Sequence, residues 1–372
     1  MKICFITTFF DTYRGGNSLF LDLFQKIKGE NKITVITAKS SKIESGLIDI
    51  INIPVGLSSR LYFYNDRLFS KKVFEEVSKI SKENPFDLII INQVAGKSIL
   101  KFKNIDTPIL YIIHHPFSVD LSVSLSESKS LFERLKWKIK YWGMVSIQKK
   151  IVQVFDNIST VSESSKERIA DDYNIAPDKI KVVYNGVDTD FFKNTGEATS
   201  KTVMTLGSYQ HPRRGFKYLF EIYIKLSKRG YKIIDIGRRT DQQGEVLKKI
   251  ENLETLGIVD QKILPDLYSK SSVFLSTSLF EGFGLTATEA LSCQTPVVAF
   301  SGGGINDVLK KVDLDMLCDP KDIDEFVRKV EKFNSISKQE KENYRIKIKE
   351  NFSINRMVDD YKKLFESIIS DN

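Results

Sequence analysis

Two glutamates, Glu281 and Glu289, stand eight positions apart in FEGFGLTATEALSCQTPVVAFSGGG (residues 280–304), with Gly282 and Gly284 between them. A carboxylate accepts hydrogen bonds from two hydroxyls at once, which suits a sugar diol or a ribose. Glycines let a backbone approach a ligand closely, and open amides at a helix start attract an anion. The stretch therefore reads as a turn, Gly282-Phe283-Gly284-Leu285, whose amides could hold a phosphate while the two carboxylates hold hydroxyls on either side. A plainer reading uses the same residues. Thr286-x-x-Glu289 fits a capping box, in which Glu289 only satisfies a backbone amide, and Glu281 is then an ordinary loop carboxylate.

Three further segments carry chemistry. LGSYQHPRRGFKYLF (residues 206–220) places Gly207, Ser208, His211, Arg213 and Arg214 between a strand and a helix. Arginine binds phosphate bidentately and keeps its charge, which suits a diphosphate; a solvated basic loop is the alternative. In TTFFDTYRGGNSLFLDLF (residues 7–24), Gly15-Gly16 joins the first strand to the first helix, with Asn17 or Ser18 as the cap. The dinucleotide fingerprint GxGxxG is absent there. In PILYIIHHPFSVD (residues 108–120), His114 and His115 are two of only three histidines in the chain. Adjacent strand residues point to opposite faces, so one histidine faces a site and the other packs.

The elements that must hold these residues are short apolar runs separated by amphipathic segments. The first half contains KICFITTFF, KITVITA, DLIIIN, PILYII, NISTVS and KVVYNG; the second contains KTVMTLGS, YKIIDIG, SVFLSTS, PVVAFS and LDMLCD. Continuous apolar runs, rather than strict alternation, imply parallel strands covered on both faces. Strand and helix alternate throughout, which predicts an α/β fold of two Rossmann-like domains with a cleft between them. In such sheets ligands lie at the carboxyl ends of strands, where all four segments fall. The polar stretch YNGVDTDFFKNTGEATSK (residues 184–201) marks the boundary: residues 1–185, 186–351, and a terminal helix over 352–372. In residues 130–155, Leu131, Leu135, Trp142, Val145 and Val152 form a helical core stripe. Lysines and aromatics there also suit a membrane surface, but a packed helix is the preferred reading.

Composition sets the outer bounds. The chain has 372 residues, enough for two domains, and a formal net charge of +8, which favours anionic partners. A basic nucleic-acid-binding protein is one class this permits, but no RRM, zinc-finger or helix-turn-helix signature is present. Cys4, Cys293 and Cys318 lie far apart, so neither a zinc site nor a disulfide framework is suggested. No apolar run reaches the roughly 20 residues of a membrane span, and no export signal opens the chain, so a cytoplasmic location is expected.

Taken in order, these segments resemble glycosyltransferase family 4, whose members have the GT-B architecture. VSESSKERIADDYNIAPDKIKVVYNGVDTDFF (residues 161–192) is similar to the family's interdomain approach, and SLFEGFGLTATEALSCQTPVVAFSGGGINDVL (residues 278–309) to its signature, with Glu281 and Glu289 as the ends of E-x7-E. The resemblance implies two Rossmann-like domains facing across a cleft, with a C-terminal helix returning to the first. It implies retaining transfer from a nucleotide diphosphate sugar to a glycan, lipid-linked or other hydroxyl acceptor, with no metal or other cofactor and no nucleic acid. An epimerase of the same architecture is the alternative activity. Peripheral contact with an anionic membrane is compatible with a lipid-linked acceptor. Glu281 would engage the sugar hydroxyls and Glu289 the ribose. Amides of Gly284 and Leu285 would hold the diphosphate, with Gly207, Ser208, Arg213, Arg214, Gly282 and Phe283 around the donor and Gly15 and Gly16 beneath its phosphates. His114, six residues after Pro108, would reach the sugar or the acceptor, with His115 as its substitute. The chain departs from the family pattern at Ser208, where Arg is frequent, at Arg214, where Lys is frequent, and at Asp307, where Glu is common. Thr286, in the place of a small residue or Pro, would cap the following helix.

Overall fold

The computed structural model describes residues 1–10, 15–27, 29, 31–40, 48–55 and 62–371. It divides into two compact units, Met1–Asn185 with Ile354–Asn372, and Gly186–Ser353.

In the first unit the strands are β1 (Lys2–Phe10), β2 (Lys32–Ser40), β3 (Ile48–Asn52), β4 (Leu88–Asn92), β5 (Ile109–Ile113), β6 (Asn157–Thr160) and β7 (Ile180–Val182). They form one sheet in the order β3-β2-β1-β4-β5-β6-β7, all parallel. Its helices are α1 (Gly15–Ile27), α2 (Tyr62–Glu83), α3 (Phe117–Ser126), α4 (Leu131–Val154) and α5 (Glu163–Tyr173). Every residue of β4 and β5 is buried, as expected of strands covered on both faces. One face packs Cys4, Ile6, Ile89, Ile91 and Tyr111 against α2, α4 and α5 through Phe69, Val73, Ile151 and Tyr173. The other face stacks Phe5 on Phe20 and Phe24 of α1, at ring separations of 4.8 and 5.0 Å. Each fully buried aromatic of this kind contributes about 1.5–3 kcal/mol by leaving water.

The second unit begins with β8 (Thr199–Leu206) and continues through α6 (Phe216–Ser227), β9 (Lys232–Ile236), α7 (Asp241–Leu247), β10 (Leu253–Gly257) and α8 (Leu264–Lys270). It continues with β11 (Ser271–Ser276), α9 (Leu285–Ser292), β12 (Val297–Phe300), α10 (Gly304–Val312), β13 (Leu317–Cys318), α11 (Ile323–Phe333) and α12 (Lys338–Phe352). Its parallel sheet runs β10-β9-β8-β11-β12-β13. The chain then returns to the first unit as α13 (Ile354–Ser370), the terminal helix expected from the apolar spacing. Met357, Tyr361, Phe365 and Ile368 are buried at helical intervals, and Tyr361 packs on Phe20 with ring centroids 5.6 Å apart. Arg356 ties the start of α13 to the first unit's exit by donating to the Tyr184 carbonyl at 2.5 Å.

Three local expectations are corrected. Helix α1 begins at Gly15, so Asn17 and Ser18 fall inside its first turn rather than capping it; residues 11–14, leading into Gly15-Gly16, lie outside the described residues. β3 and β10 were not expected as strands. On α4 the proposed core stripe is wrong over its first half. Leu131, Leu135 and Trp142 are exposed, Val145 is partly buried and only Val152 is fully buried. The buried face is instead Tyr141, Met144, Gln148, Ile151 and Val152, roughly opposite the exposed three on the helix.

Candidate active site

Strand β11 ends at Ser276, and the loop that follows carries Glu281 before α9 begins. This loop is zipped to the glycine run between β12 and α10. Glu281 N donates to Gly302 O at 3.0 Å, and Gly304 N donates to Glu281 O at 2.7 Å. The approach explains the three consecutive glycines. A Cβ on Gly302, Gly303 or Gly304 would stand 2.4, 2.2 or 2.2 Å from the carbonyl oxygens of Leu279, Glu281 and Gly282 respectively, all of them backbone atoms. Asn306 braces the same turn by accepting from Gly302 N at 3.0 Å.

The Glu281 side chain is nearly enclosed, with 12% exposure, and is paired from two directions. The Arg214 guanidinium donates to its carboxylate, and Ser278 Oγ donates to the same oxygen at 2.7 Å. Arg213 lies 3.9 Å away, its guanidinium donating to the Phe280 carbonyl at 2.6 Å. Both arginines come from the short helical turn Pro212–Arg214, held by His211 Nδ1, which accepts from Arg213 N at 3.1 Å. Two cations and one anion thus share this corner, leaving an excess positive charge suited to an anion.

Helix α9 is capped by Gly284, whose φ of 103° is the left-handed conformation glycine tolerates. No side chain caps it, so the capping-box reading of Thr286 and Glu289 is corrected. Thr286 sits inside the first turn. Glu289 is on the second turn, not the first, and accepts from Tyr268 Oη on α8 at 2.8 Å. Burial lifts the Glu289 carboxyl to about 7, against the opposing pull of that hydrogen bond.

Gly207 and Ser208 follow β8. Ser208 is exposed, while Gly207 O accepts from Arg239 Nη1 at 2.7 Å. Arg239 is itself buried against Asp235, at 2.5 Å, and lies over the Tyr209 ring. Tyr223 Oη also donates to Asp235, at 2.8 Å. This buried ion pair fixes the loop from below. Sequence reasoning missed it, although an aspartate inside the apolar run YKIIDIG was a signal: a buried carboxylate needs a cation nearby.

His114 and His115 belong to the first unit, as do Gly15 and Gly16 at the head of α1; the remaining expected residues belong to the second. The side chains of His114 and His115 diverge. His114 Nε2 lies 2.7 Å from Asn92 Oδ1, and Asn92 Nδ2 donates to Thr7 Oγ1 at 3.4 Å. Burial and the adjacent His115 hold the His114 imidazole down at about 4, so it is neutral at pH 7. His115 Nε2 turns to Asp120, 3.1 Å away. Asn92 and Gln93, which orient His114, carry no signal in the sequence beyond their place at a strand end. Among the described residues no group of carboxylates, histidines or cysteines has metal-binding geometry, and no helix is long and apolar enough to cross a membrane.

Two parallel α/β units, the second carrying an acid- and arginine-bearing turn at its strand ends, define the GT-B class. Solved structures show the same fold. Sucrose-phosphate synthase from Thermosynechococcus elongatus superposes over the whole of both chains with a TM-score of 0.82 at 16% identity. Anabaena HepE, solved in complex with UDP and glucose, matches 99% of this chain and all of that one with a TM-score of 0.71 at 16% identity. The family model Glycosyltransferase Family 4 matches residues 14–191, and the model Glycosyl transferases group 1 matches residues 200–334. The chain thus carries a Glycosyltransferase Family 4 domain followed by a Glycosyl transferases group 1 domain. Among curated relatives, the MMP alpha-(1->4)-mannosyltransferase of Mycolicibacterium hassiacum is 26% identical over 252 residues, covering 66% of this chain and 61% of that protein's length.

Proposed function

We propose that this protein is a retaining glycosyltransferase that moves a sugar from a nucleotide diphosphate sugar to a hydroxyl acceptor without a metal ion. The observation that carries the reading is the Glu281 corner: an enclosed carboxylate held by Arg214 and Ser278, with Arg213 beside it and, four residues on, a helix start that no side chain caps.

The donor diphosphate takes the amides at Gly284 and Leu285 and the charge of Arg214. Gly207, Ser208, Gly282 and Phe283 supply the backbone around it. Glu281 and Glu289 hold the sugar and ribose hydroxyls. The C1–O bond to the diphosphate breaks as the acceptor oxygen bonds C1 on the same face, and the acceptor's proton passes to the departing phosphate oxygen. Stabilising the leaving diphosphate is the main catalytic term, and no enzymic nucleophile is needed. Arg214 is shared: it pairs with Glu281 and turns part of its charge to phosphate when donor binds. His114, neutral at pH 7, serves as a hydrogen-bonding group toward sugar or acceptor rather than as a proton carrier. HepE, crystallised with UDP and glucose, supports a nucleotide-sugar donor of this kind.

A thermal-shift screen of UDP, GDP, ADP and their sugars tests this reading, since a ligand that binds only the folded state raises the melting temperature. At least one nucleotide series should stabilise the wild type and lose that effect in Arg214→Ala. No shift with any nucleotide would remove the donor assignment.

A further inference from the structure

The first half of α4 stands out from the body of the first unit. Leu131, Phe132, Leu135, Ile139 and Trp142 are between 56% and 85% exposed, five of the twelve large apolar side chains exposed among the described residues. At about 100° per residue the five fall within one arc of roughly 100° on the helix. That arc faces away from Tyr141, Met144 and Gln148, the side buried against α3. It is therefore a second apolar stripe on a helix whose core-facing stripe is already satisfied. Contiguous exposed apolar surface of this kind marks an interaction site.

The charge around the stripe selects the partner. Exposed lysines border it, Lys138 on one edge and Lys136 on the other, Lys149 and Lys150 continue those edges about two turns beyond Trp142, and no acidic residue of α4 lies on that half of the helix. None of these four lysines pairs with a carboxylate among the described residues. We infer that this face of α4 docks the protein on an anionic lipid bilayer, with the apolar stripe set into the headgroup boundary and the lysines on the lipid charges. An apolar stripe with a basic rim is the composition of a helix lying in a membrane interface, and a tryptophan suits that zone because its ring is apolar and its N–H is not. A second copy of the chain fits less well, since a two-fold interface would set the same lysines against each other. The inference does not depend on sugar transfer being the activity.

Flotation of the full chain decides it. The protein should rise with vesicles of equal parts phosphatidylglycerol and phosphatidylcholine at low salt, and stay behind with phosphatidylcholine alone. Ile139→Glu with Trp142→Glu should abolish flotation while leaving the circular dichroism, melting temperature and nucleotide response of the wild type. Changing Lys136, Lys138, Lys149 and Lys150 to Gln should weaken binding about fivefold for each charge removed. A wild-type chain that ignores the anionic vesicles overturns the inference, as does a double glutamate variant that floats normally. So does a dimer, seen by sedimentation, that the double variant loses, for it would give the stripe to a second copy.

Discussion

At the scale of single residues, Glu281 is the group whose loss is easiest to read. Its carboxylate has Arg214 and Ser278 as partners and a rigid turn beneath it, so Glu281→Gln keeps the shape and removes the charge. Transfer should fall by two orders of magnitude or more, about 2.7 kcal/mol of barrier, while circular dichroism stays unchanged. Wild-type turnover in that variant would unseat the assignment. Arg214→Ala should weaken nucleoside diphosphate binding at least tenfold, about 1.4 kcal/mol, by calorimetry. For Glu289 the pH dependence is the test. Its carboxyl titrates near 7 in the fold against 4.5 when unburied, so its contribution to stability is intact below pH 4.5 and is lost as pH rises through 7. A ribose diol donates more strongly to the charged form, so nucleotide binding should expel a proton, and affinity should climb with pH through that range. Glu289→Gln should bind without proton release; release identical to wild type, measured in buffers of different ionisation heat, would take Glu289 out of the ribose site. Arg239→Ala leaves Asp235 buried without its cation and should cost about 3–5 kcal/mol in urea unfolding. The glutamate pair was legible because its spacing lies within one turn and helix. Its partner Arg214 was legible as a cation but not as the mate of Glu281, because 67 positions separate them. Only the meeting of β8 and β11 in one sheet brings them together.

At the scale of elements, the strands that escaped sequence reading are informative. β3 and β10 are the outer strands of their sheets. An edge strand has a neighbour on one side only and carries polar residues that discourage further pairing, so IDIIN and LETLG lack the continuous apolar run that marked the interior strands. The opposite error occurred on α4, where apolar residues at helical spacing were taken for core. Periodicity reports that a helix has an apolar face and is silent on what covers it. The glycine run before α10 received no role of its own from the sequence; in the structure it admits the Glu281 loop. Gly303→Ala should therefore force the two loops apart. With a backbone contact of 2.2 Å to relieve and a φ of 73° to sustain, a loss of about 1–3 kcal/mol is expected, together with weaker nucleotide binding. A variant that binds nucleotide and melts like the wild type would show that the loops can yield.

At the scale of the whole molecule, the α/β class and the parallel order of the strands followed from alternation and apolar runs, because a strand buried on both faces has almost no sequence freedom. Activity on a soluble acceptor should survive excess EDTA if Arg213, Arg214 and the α9 amides alone neutralise the diphosphate. A strict requirement for added divalent cation would instead place that charge outside the protein. The return of the chain as α13 has a consequence for biosynthesis. Residues 354–372 belong to the unit that begins at Met1, with the whole of the other unit made in between. On the ribosome the early sheet must wait, its Phe20 side uncovered, until the α13 segment has been made, whereas the later half has all its parts sooner. Cells translating a message truncated after Ser353 would accumulate a polypeptide whose later half is sound and whose earlier half presents that bare aromatic surface to chaperones and proteases.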